Sequence, residues 1–385
     1  MARPYELARW LWLEAQLGAP PFVQHTLIPW LHHAKEIVRL LTQPYMRLYE
    51  LKGYNQAGPL TVTYGGLGYA APTLKSLLFL DEPVEREIGR VPVWSPGRLL
   101  DATTGDLAIV EASQYLIRQL PGQGAIRLPF RLRFVLDIQG DWEEIQQRFH
   151  RNLRDQIRKA GRYEGYEYEI SQREEDLDMF YHSMYLPYVE KRHGKLAAIL
   201  PEREAYQLLR HGWLFLVKRD GIHVCGSLGY ARRGCVDFIE MGVLHANQQL
   251  MKDGVVEAMN YLRMRWAHQE GYKTLDLGGS WPYMSGIFQA KRKWGATMGV
   301  APHEQKQIWI RIQADTPAVS RFLESNPCVV MNSRGELHGL IVTADPENIA
   351  PETEATWRKL YETPGLSGLL VHSPKDLMER RDGPS

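Results

Sequence analysis

The stretch Gly271-Tyr-Lys-Thr-Leu-Asp-Leu-Gly-Gly-Ser-Trp-Pro-Tyr-Met-Ser-Gly-Ile-Phe-Gln-Ala-Lys-Arg-Lys-Trp-Gly295 carries the clearest information about the architecture. Its first half, Thr274–Leu277, predicts a buried strand with Asp276 at the carboxyl end, and the glycines that follow predict a turn. A short basic helix then presents Lys291 and Lys293. Because ligands bind at the carboxyl ends of strands in open sheets, we expect an anion-binding opening at this point.

Working outward, strands alternate with helices, which predicts an α+β fold of mixed, mostly antiparallel sheets flanked by helices. The central part is predicted to contain helices 141–162, 174–192, 201–211 and 252–270 and strands 166–171, 214–218, 224–230 and 235–244. Before it we expect helices 5–17, 27–42 and 105–119 and strands 46–52, 60–64, 77–80, 125–128 and 132–138. After it we expect strand 307–312, helix 316–324 and a hairpin formed by 328–332 and 340–343.

An internal repeat accompanies this pattern. Residues 106–118 and 253–265 share the elements Val-Glu-Ala and Tyr-Leu one register apart. Such self-similarity predicts two copies of one structural unit, which the length of 385 residues accommodates. We therefore expect a helical lead-in with a first unit over 1–139, a second unit with the active site over 140–312, and a small appendage over 313–385.

The composition excludes several classes of protein. There are 46 Lys and Arg against 45 Asp and Glu, so a uniformly basic surface for nucleic acid is not expected. The three cysteines and 13 histidines form no metal-binding motif, and no metal site is predicted. No apolar run approaches the roughly 18 residues of a membrane span, so we expect a cytoplasmic protein that has no membrane-spanning segment.

A glycine pattern, Gly66-Leu-Gly68-Tyr-Ala-Ala71, follows the predicted strand 60–64 and formally matches a dinucleotide-binding turn. We predict a simple turn instead, because the next predicted strand, 77–80, begins too soon for a crossover helix.

The helix 141–162 carries a row of arginines, Arg151, Arg154 and Arg158, at spacings of three and four. These residues lie along one side of the helix and are candidates for holding the phosphates of a large anionic donor. The alternative is a solvated face paired with the acidic run 164–178.

Tyrosines recur on the following helix. Tyr181, Tyr185 and Tyr188 form one aromatic face that lines an acceptor site or packs the helix on the sheet. His193, at the predicted helix end, is a candidate acid or base, or a residue that only satisfies backbone carbonyls.

The order LDLGGS…GIFQAKRKWGA, after the helix VVEAMNYLRMRWAHQEGY and the strands GSLGYARRG and CVDFIEMGVLHA, resembles the GNAT-like acyltransferases of the FemAB/FemX type. The arginine-rich segment from Phe149 is similar to a helix of that family. The resemblance covers about residues 60–310 and implies tandem GNAT-like units. It also implies acyl transfer, in which a primary amine attacks a thioester or ester carbonyl and an amide forms.

The resemblance also suggests site residues. Lys291 matches the family's Gly…Phe-Lys motif, although Ala290 replaces the usual Phe, and it would contact donor phosphate or ribose and the developing oxyanion. Glu240, on the predicted strand 235–244 and alternating with Phe238, is a candidate base or a structural carboxylate. Asp276 is the second carboxylate, and Tyr185 is a candidate for acceptor contact or proton donation to the leaving group. Lys293 joins the donor-binding set, and Ser280 and Trp281 join the substrate-binding set.

Three functions stay open at this level. The first is an N-acyltransferase that uses acyl-CoA as a co-substrate, with no tightly bound cofactor, and acylates an amine of a small molecule or of a cell-wall or polysaccharide precursor. The second uses aminoacyl-tRNA as the donor, with the basic helix gripping the acceptor stem. The loop 245–254 lacks the glycine-rich pyrophosphate cradle of simple GNAT enzymes, which counts against acetyl-CoA. The third is a non-catalytic ligand-binding module.

Overall fold

The computed structural model describes residues 34, 38, 41–66, 68–94, 98, 101–158, 165–194, 199–301 and 304–379. The predicted helix 5–17 and most of the predicted helix 27–42 lie outside these residues. Among the helices so described, each is too short or too polar to span a lipid bilayer.

Contacts divide the chain into two compact units. The central unit contains Phe134–Gly278 and Lys291–Thr297, and the N-terminal unit contains the described residues up to Arg133 together with 279–290 and 298–379. The predicted boundaries at 139/140 and 312/313 do not coincide with this division, because the chain enters the N-terminal unit again after Gly278. The predicted appendage belongs to that unit, where Phe322, Val330 and Leu377 share a core with Leu74 and Ile109.

Sixteen strands are present in the described residues. They are β1 Tyr45–Asn55, β2 Gly58–Gly66, β3 Val84–Pro92, β4 Leu107–Ser113, β5 Ala125–Pro129, β6 Leu132–Asp137, β7 Tyr166–Ser171, β8 Trp213–Arg219, β9 Ile222–Arg232, β10 Cys235–Val243, β11 Thr274–Ser280, β12 Thr297–Val300, β13 Lys306–Ile312, β14 Cys328–Met331, β15 Leu337–Val342 and β16 Gly368–His372.

Several α-helices of the same residues are shorter than the sequence predicts. They are α1 Ala71–Leu78, α2 Gln114–Ile117, α3 Trp142–Gln147, α4 Arg151–Arg158, α5 Glu174–Phe180, α6 Leu186–His193, α7 Glu202–His211, α8 Gln248–Lys252, α9 Val255–Gln269, α10 Ile287–Arg292, α11 Pro317–Ser325, α12 Pro351–Tyr361 and α13 Pro374–Glu379. A π-helix, Tyr181–Tyr185, joins α5 to α6, and a 3-10 turn, Leu244–Ala246, precedes α8.

The strands form three sheets, in the orders β3-β1-β2-β4-β13-β5, β12-β6-β11-β10-β9-β8-β7 and β14-β15-β16. The pairs β2–β4, β10–β11 and β15–β16 are parallel. Antiparallel pairs include β1–β2, β8–β9, β9–β10 and β4–β13. This confirms the predicted α+β class with mixed, mostly antiparallel sheets.

The two larger sheets share a local topology. In the N-terminal unit the antiparallel hairpin β1–β2 leads through α1 and then β3 to β4, which runs parallel to β2. In the central unit the hairpin β9–β10 leads through α9 to β11, which runs parallel to β10. Both units thus contain a hairpin followed by a helix and a strand parallel to the second hairpin strand, with β3 as an addition in the N-terminal unit, and this fits the predicted tandem arrangement.

The sequence repeat does not reflect this topology. The predicted helix 105–119 is wrong, because residues Leu107–Ser113 form β4 and only Gln114–Ile117 are helical. All seven residues of β4 are buried between β2 and β13. A strand covered on both faces has a nearly continuous apolar sequence, which periodicity alone cannot distinguish from a buried helix. The matching segment 253–265 is largely α9.

The predicted strand 77–80 is also wrong, because its first two residues end α1. A helix therefore does follow the pattern Gly66-Leu-Gly68-Tyr-Ala-Ala71. The expectation that no helix could fit between this pattern and the next strand is wrong. The N–H of Ala70, at the start of that helix, donates to Oε2 of Glu111 at 2.8 Å. A carboxylate of the protein occupies the position that a pyrophosphate takes in such turns.

The predicted helix 141–162 is divided into α3 and α4. The backbone N–H of His150 donates to the Lys293 carbonyl at 2.8 Å instead of continuing the helix. Gly295 packs so closely here that a Cβ on it would lie 2.4 Å from the Arg148 carbonyl oxygen. A tertiary contact thus overrides a strong helical periodicity.

Candidate active site

Strand β10 contains an irregularity that decides where Glu240 points. Asp237 pairs with Tyr230 and Phe238 with Gly229, but Glu240 already pairs with Leu228, so Ile239 forms a bulge. Cross-strand partners share a sheet face, and Leu228 and Tyr230 lie on the same face. The predicted alternation of Glu240 with Phe238 is therefore wrong. The bulge turns the carboxylate away from the face of Phe238, whose ring contacts Trp266 of α9.

On the face of Glu240, a π-helix lies against β10. It spans Tyr181–Tyr185 and interrupts the helix that the sequence predicts over 174–192. A Cβ on Gly242 would lie 2.4 Å from the carbonyl carbon of Met184 and 2.5 Å from the backbone nitrogen of Tyr185. Glycine at this position therefore allows the π-helix backbone to approach the strand. Such π-helical turns occur frequently at functional sites.

Tyr185 and Tyr181 fix this region through hydrogen bonds. The buried Tyr185 hydroxyl hydrogen-bonds to the Glu240 carboxylate and accepts the N–H of Leu200 at 2.7 Å. The Tyr181 hydroxyl donates to the Leu200 carbonyl, also at 2.7 Å. Both backbone groups of Leu200 are thus bound by neighbouring tyrosines.

Glu240 has an unusual acidity. Burial raises the pKa of its carboxyl to about 7, and the hydrogen bond from Tyr185 opposes this rise by stabilising the charged form. Burial also raises the pKa of Tyr185, so its hydroxyl remains a donor at neutral pH. A carboxyl that exchanges a proton near pH 7 has the acidity that a general base requires.

Asp276, Gly278 and Lys291 come together at the end of β11. The ladder between β10 and β11 contains three residue pairs and ends at Asp237 and Asp276. The glycine turn predicted after Leu277 is wrong, because β11 continues to Ser280. Within this strand the buried Asp276 accepts the Gly278 N–H at 2.8 Å. A Cβ on Gly278, whose φ is +79°, would lie 3.4 Å from the Lys291 ammonium nitrogen. An ammonium group therefore lies where the two strands stop pairing.

The other predicted donor-binding cations are placed differently. Lys293 forms an ion pair at 2.8 Å with Glu257 in the first turn of α9. On α4, Arg151 is 84% exposed and lies 3.9 Å from Asp155. Arg154 donates to the Gln147 carbonyl at 3.3 Å. Arg154 and Arg158 line a cavity of about 300 Å³ with residues of α3, so two of the three arginines converge.

The predicted substrate-binding residues are divided between the two units: Tyr181, Tyr188 and His193 belong to the central unit, and Ser280 and Trp281 to the N-terminal unit. Tyr188 is buried and its hydroxyl accepts a hydrogen bond from Arg192. His193 ends α6 before Gly194, as the sequence predicts, and its side chain is outside the described part. Ser280 is buried and donates to the Trp281 carbonyl at 2.7 Å. The Arg131 guanidinium lies 4.1 Å from the Trp281 ring centroid, within the N-terminal unit.

Sequence reasoning missed a polar chain behind the bulge. The buried Arg263 of α9 donates to Ser227 Oγ at 2.8 Å, and Ser227 Oγ donates to the backbone carbonyl of Glu240 at 2.7 Å. Burial lowers the pKa of Arg263 to about 10, and its guanidinium lies 4.4 Å from the Phe238 ring centroid. The sequence signal that could have revealed this chain is Arg263, a charged residue among the apolar residues of α9 that face the sheet.

The segment between β10 and α9 is also ordered by its own side chains. Asn247 Oδ1 accepts the N–H groups of Gln249 and Leu250, at 2.8 and 3.2 Å, and caps α8. These amides are therefore not available to a phosphate, which agrees with the absence of a glycine-rich cradle from residues 245–254.

Residues 147–292 match the family model described as "Acetyltransferase (GNAT) domain". No curated protein matches the chain. Solved structures with similarity include FemX, with 14% identity and a TM-score of 0.40; the match covers 80% of this chain and 96% of that chain. Another is L-PGS from Bacillus licheniformis, with 13% identity and a TM-score of 0.34; the match covers 71% of this chain and 87% of that chain. A third is the C-terminal domain of a putative lysylphosphatidylglycerol synthetase from Agrobacterium fabrum, with 12% identity and a TM-score of 0.33; the match covers 71% of this chain and 83% of that chain. Residues 147–292 therefore correspond to a GNAT acetyltransferase domain, which agrees with the resemblance seen in the sequence of this part of the chain.

Proposed function

We propose that this protein forms amides, transferring an acyl group from an activated ester or thioester to a primary amine, with Glu240 as the general base. The observation that carries the proposal is the Glu240 carboxyl, whose pKa of about 7 and hydrogen bond to Tyr185 are set by burial beside the β10 bulge. A carboxylate with this acidity accepts the proton of an ammonium acceptor at neutral pH.

The reaction follows from these groups. Glu240 removes a proton from the acceptor ammonium, and the neutral amine attacks the acyl carbon, so a C–N bond forms. The carbonyl oxygen becomes an oxyanion, and the Lys291 ammonium is placed by Gly278 at the end of β11, where it would stabilise this charge. Collapse breaks the bond from the acyl carbon to oxygen or sulfur. The leaving group takes up the second proton that the attacking nitrogen loses, and Glu240 returns the first proton to solvent.

Two of the predicted roles change in this scheme. Tyr185 is engaged by Leu200 and Glu240, and its raised pKa suits a positioning group better than a proton donor to the leaving group. Asp276 accepts the Gly278 N–H within β11, which suits a structural task better than that of a second base.

The donor has two candidates. Acyl-CoA is the first, by the GNAT resemblance, but the amides of Gln249 and Leu250 are taken by Asn247 and do not fit a pyrophosphate. This observation favours the second candidate, an aminoacyl ester of tRNA. Such a donor would place its phosphates along exposed cations such as Arg151.

The test incubates the purified full chain with mixed primary amines and either acetyl-CoA or charged tRNA, and mass spectrometry detects the amide product. We expect the amide product with one of the two donors, and Glu240→Gln should abolish its formation. If the donor is charged tRNA, treatment with ribonuclease should also abolish the product. Ligand binding without amide formation in both arms would support a non-catalytic module and contradict the proposal. Equal rates in the wild type and Glu240→Gln would contradict the role of Glu240.

A further inference from the structure

The N-terminal unit contains a cavity of about 670 Å³ that the proposed chemistry does not use. It lies at the carboxyl ends of the parallel strands β2 and β4, whose ladder ends with Gly66 opposite Glu111. Carboxyl ends of adjacent parallel strands are frequent positions for ligands. The lining residues that matter here are Tyr45, Tyr49, Leu51, Tyr64, Lys75 and Glu111.

Glu111 is the unusual member of this wall. It is fully buried, and its Oε2 accepts the Tyr64 hydroxyl at 2.7 Å and the Ala70 N–H at 2.8 Å. Its Oε1 is buried and has no hydrogen-bond partner among the described residues. Leaving a buried carboxylate oxygen without a donor is costly, so the site is built for a donor from outside the protein chain.

The glycine pattern noted in the sequence serves this carboxylate. A Cβ on Gly66 would lie 2.8 Å from both Cβ and the backbone oxygen of Glu111, so only glycine leaves room for it. Gly66 and Gly68 both line the cavity. The pattern that resembles a phosphate-binding turn therefore makes space for a negative charge of the protein, which favours a cationic ligand.

The charges around the cavity favour the same ligand. Lys75 binds Glu85 at 2.6 Å, Arg90 binds Glu87 at 3.1 Å, and Arg47 lies 3.9 Å from the same carboxylate. Within the described residues Glu111 forms no ion pair with a lysine or arginine. The cations that line the cavity are thus already paired with other carboxylates, and none of them pairs with Glu111.

We propose that this cavity binds an organic compound with a primary ammonium group, which donates to Glu111 Oε1 while its apolar body lies against the tyrosines and Leu51. Tyr49 and Tyr64 are cross-strand partners, so their rings stand on one face of the sheet beside the carboxylate. Aromatic rings around a carboxylate provide both the charge and the cation–π attraction that ammonium groups require. This site is separate from Glu240 and does not depend on the acyl-transfer proposal.

The test uses n-pentylammonium chloride as the probe and 1-pentanol as its neutral control, with binding to the full chain measured by ligand-observed NMR titration. We expect the wild type to bind the ammonium at least about tenfold more tightly than the alcohol. Glu111→Gln keeps the shape and an acceptor for Tyr64 but replaces the open oxygen, and should weaken binding at least about tenfold. Glu240→Gln should leave this binding unchanged.

Equal binding by the wild type and Glu111→Gln would overturn the proposal, as would loss of binding in Glu240→Gln alone. The second outcome would assign the probe to the acyl-transfer site. If Glu111→Gln does not fold, a wild-type crystal soaked with the probe gives the answer. An ammonium nitrogen within about 3.2 Å of Glu111 Oε1 supports the site, and a probe bound only elsewhere refutes it.

Discussion

The hydroxyl of Tyr185 hydrogen-bonds to the carboxylate of Glu240, and this contact joins the π-helix to the bulged strand β10. Both local irregularities are needed for it. The bulge turns Glu240 toward this face of the sheet, and Gly242 lets the π-helix approach. Each feature interrupts a regular element, so the contact is a property of the tertiary structure rather than of either segment alone.

Replacing Glu240 with glutamine should lower kcat by about 10²- to 10⁴-fold, because the acceptor amine then has no base. In the wild type, kcat/KM should rise with pH through about 7, since Glu240 must be deprotonated to act. The pH–rate profile of the variant should lack this limb. If kcat/KM of the Glu240→Gln variant still rises with pH through about 7, the group that titrates is not Glu240.

The same substitution should affect stability in the opposite direction. The folded-state pKa of Glu240 is raised above its ordinary value, so the folded protein binds the extra proton and loses stability as pH rises from about 4.5 to about 7. Above pH 7 the deprotonated Glu240 lowers the free energy of unfolding by at most about 3 kcal/mol, and Glu240→Gln should restore this stability. Urea unfolding at pH 5 and pH 8 measures the difference, and a wild type more stable at pH 8 than the variant would contradict it.

Tyr185→Phe should shift the rising limb of the pH–rate profile to higher pH, because the hydrogen bond that holds down the pKa of Glu240 is lost. Tyr181→Phe is the matched control, since Tyr181 binds the other backbone group of Leu200. Each variant should lose about 1 kcal/mol of stability, but only Tyr185→Phe should move the limb. Equal shifts in both variants would indicate a general loosening of the segment.

Much of the central unit could be predicted from its sequence. Strand β7, helix α7 and helix α9 follow the predicted ranges within a few residues, because their apolar periodicity is strong and their ends carry clear breaking residues. Glu240 was identified as a candidate by its residue type and strand position, Tyr185 by the helical spacing of the tyrosines, and Lys291 by the family resemblance. Their roles in the reaction remain proposals.

The rest depended on contacts distant in sequence. The alternation that placed Glu240 beside Phe238 failed because one extra residue in β10 reverses every later side chain. Helix 141–162 divides where Gly295 meets Arg148, residues separated by almost 150 positions. Strand β4 was mistaken for a helix because both its faces are buried. Local periodicity contains none of this information.

Gly242→Ala should destabilise the protein by about 2 to 3 kcal/mol, because the new methyl group would lie 2.4 Å from the backbone of Met184. Activity should fall as well, since the π-helix carries Tyr185. Gly89→Ala is the control, as a Cβ there meets no atom within 4 Å, and its stability should change by less than about 0.5 kcal/mol. Thermal unfolding compares the two variants, and a Gly242→Ala protein as stable as Gly89→Ala would show that the approach of the helix is dispensable.

Lys291→Met and Lys293→Met should separate a catalytic cation from a structural one. Lys291 lies beside Gly278 where β10 and β11 part, so its loss should lower kcat/KM at least about tenfold. Lys293 binds Glu257, and its loss should cost at most about 1 kcal/mol while leaving most of the activity. Steady-state kinetics and urea unfolding of both variants give the comparison. A larger kinetic loss in Lys293→Met would instead place the donor at the start of α9, where Glu257 now holds that lysine.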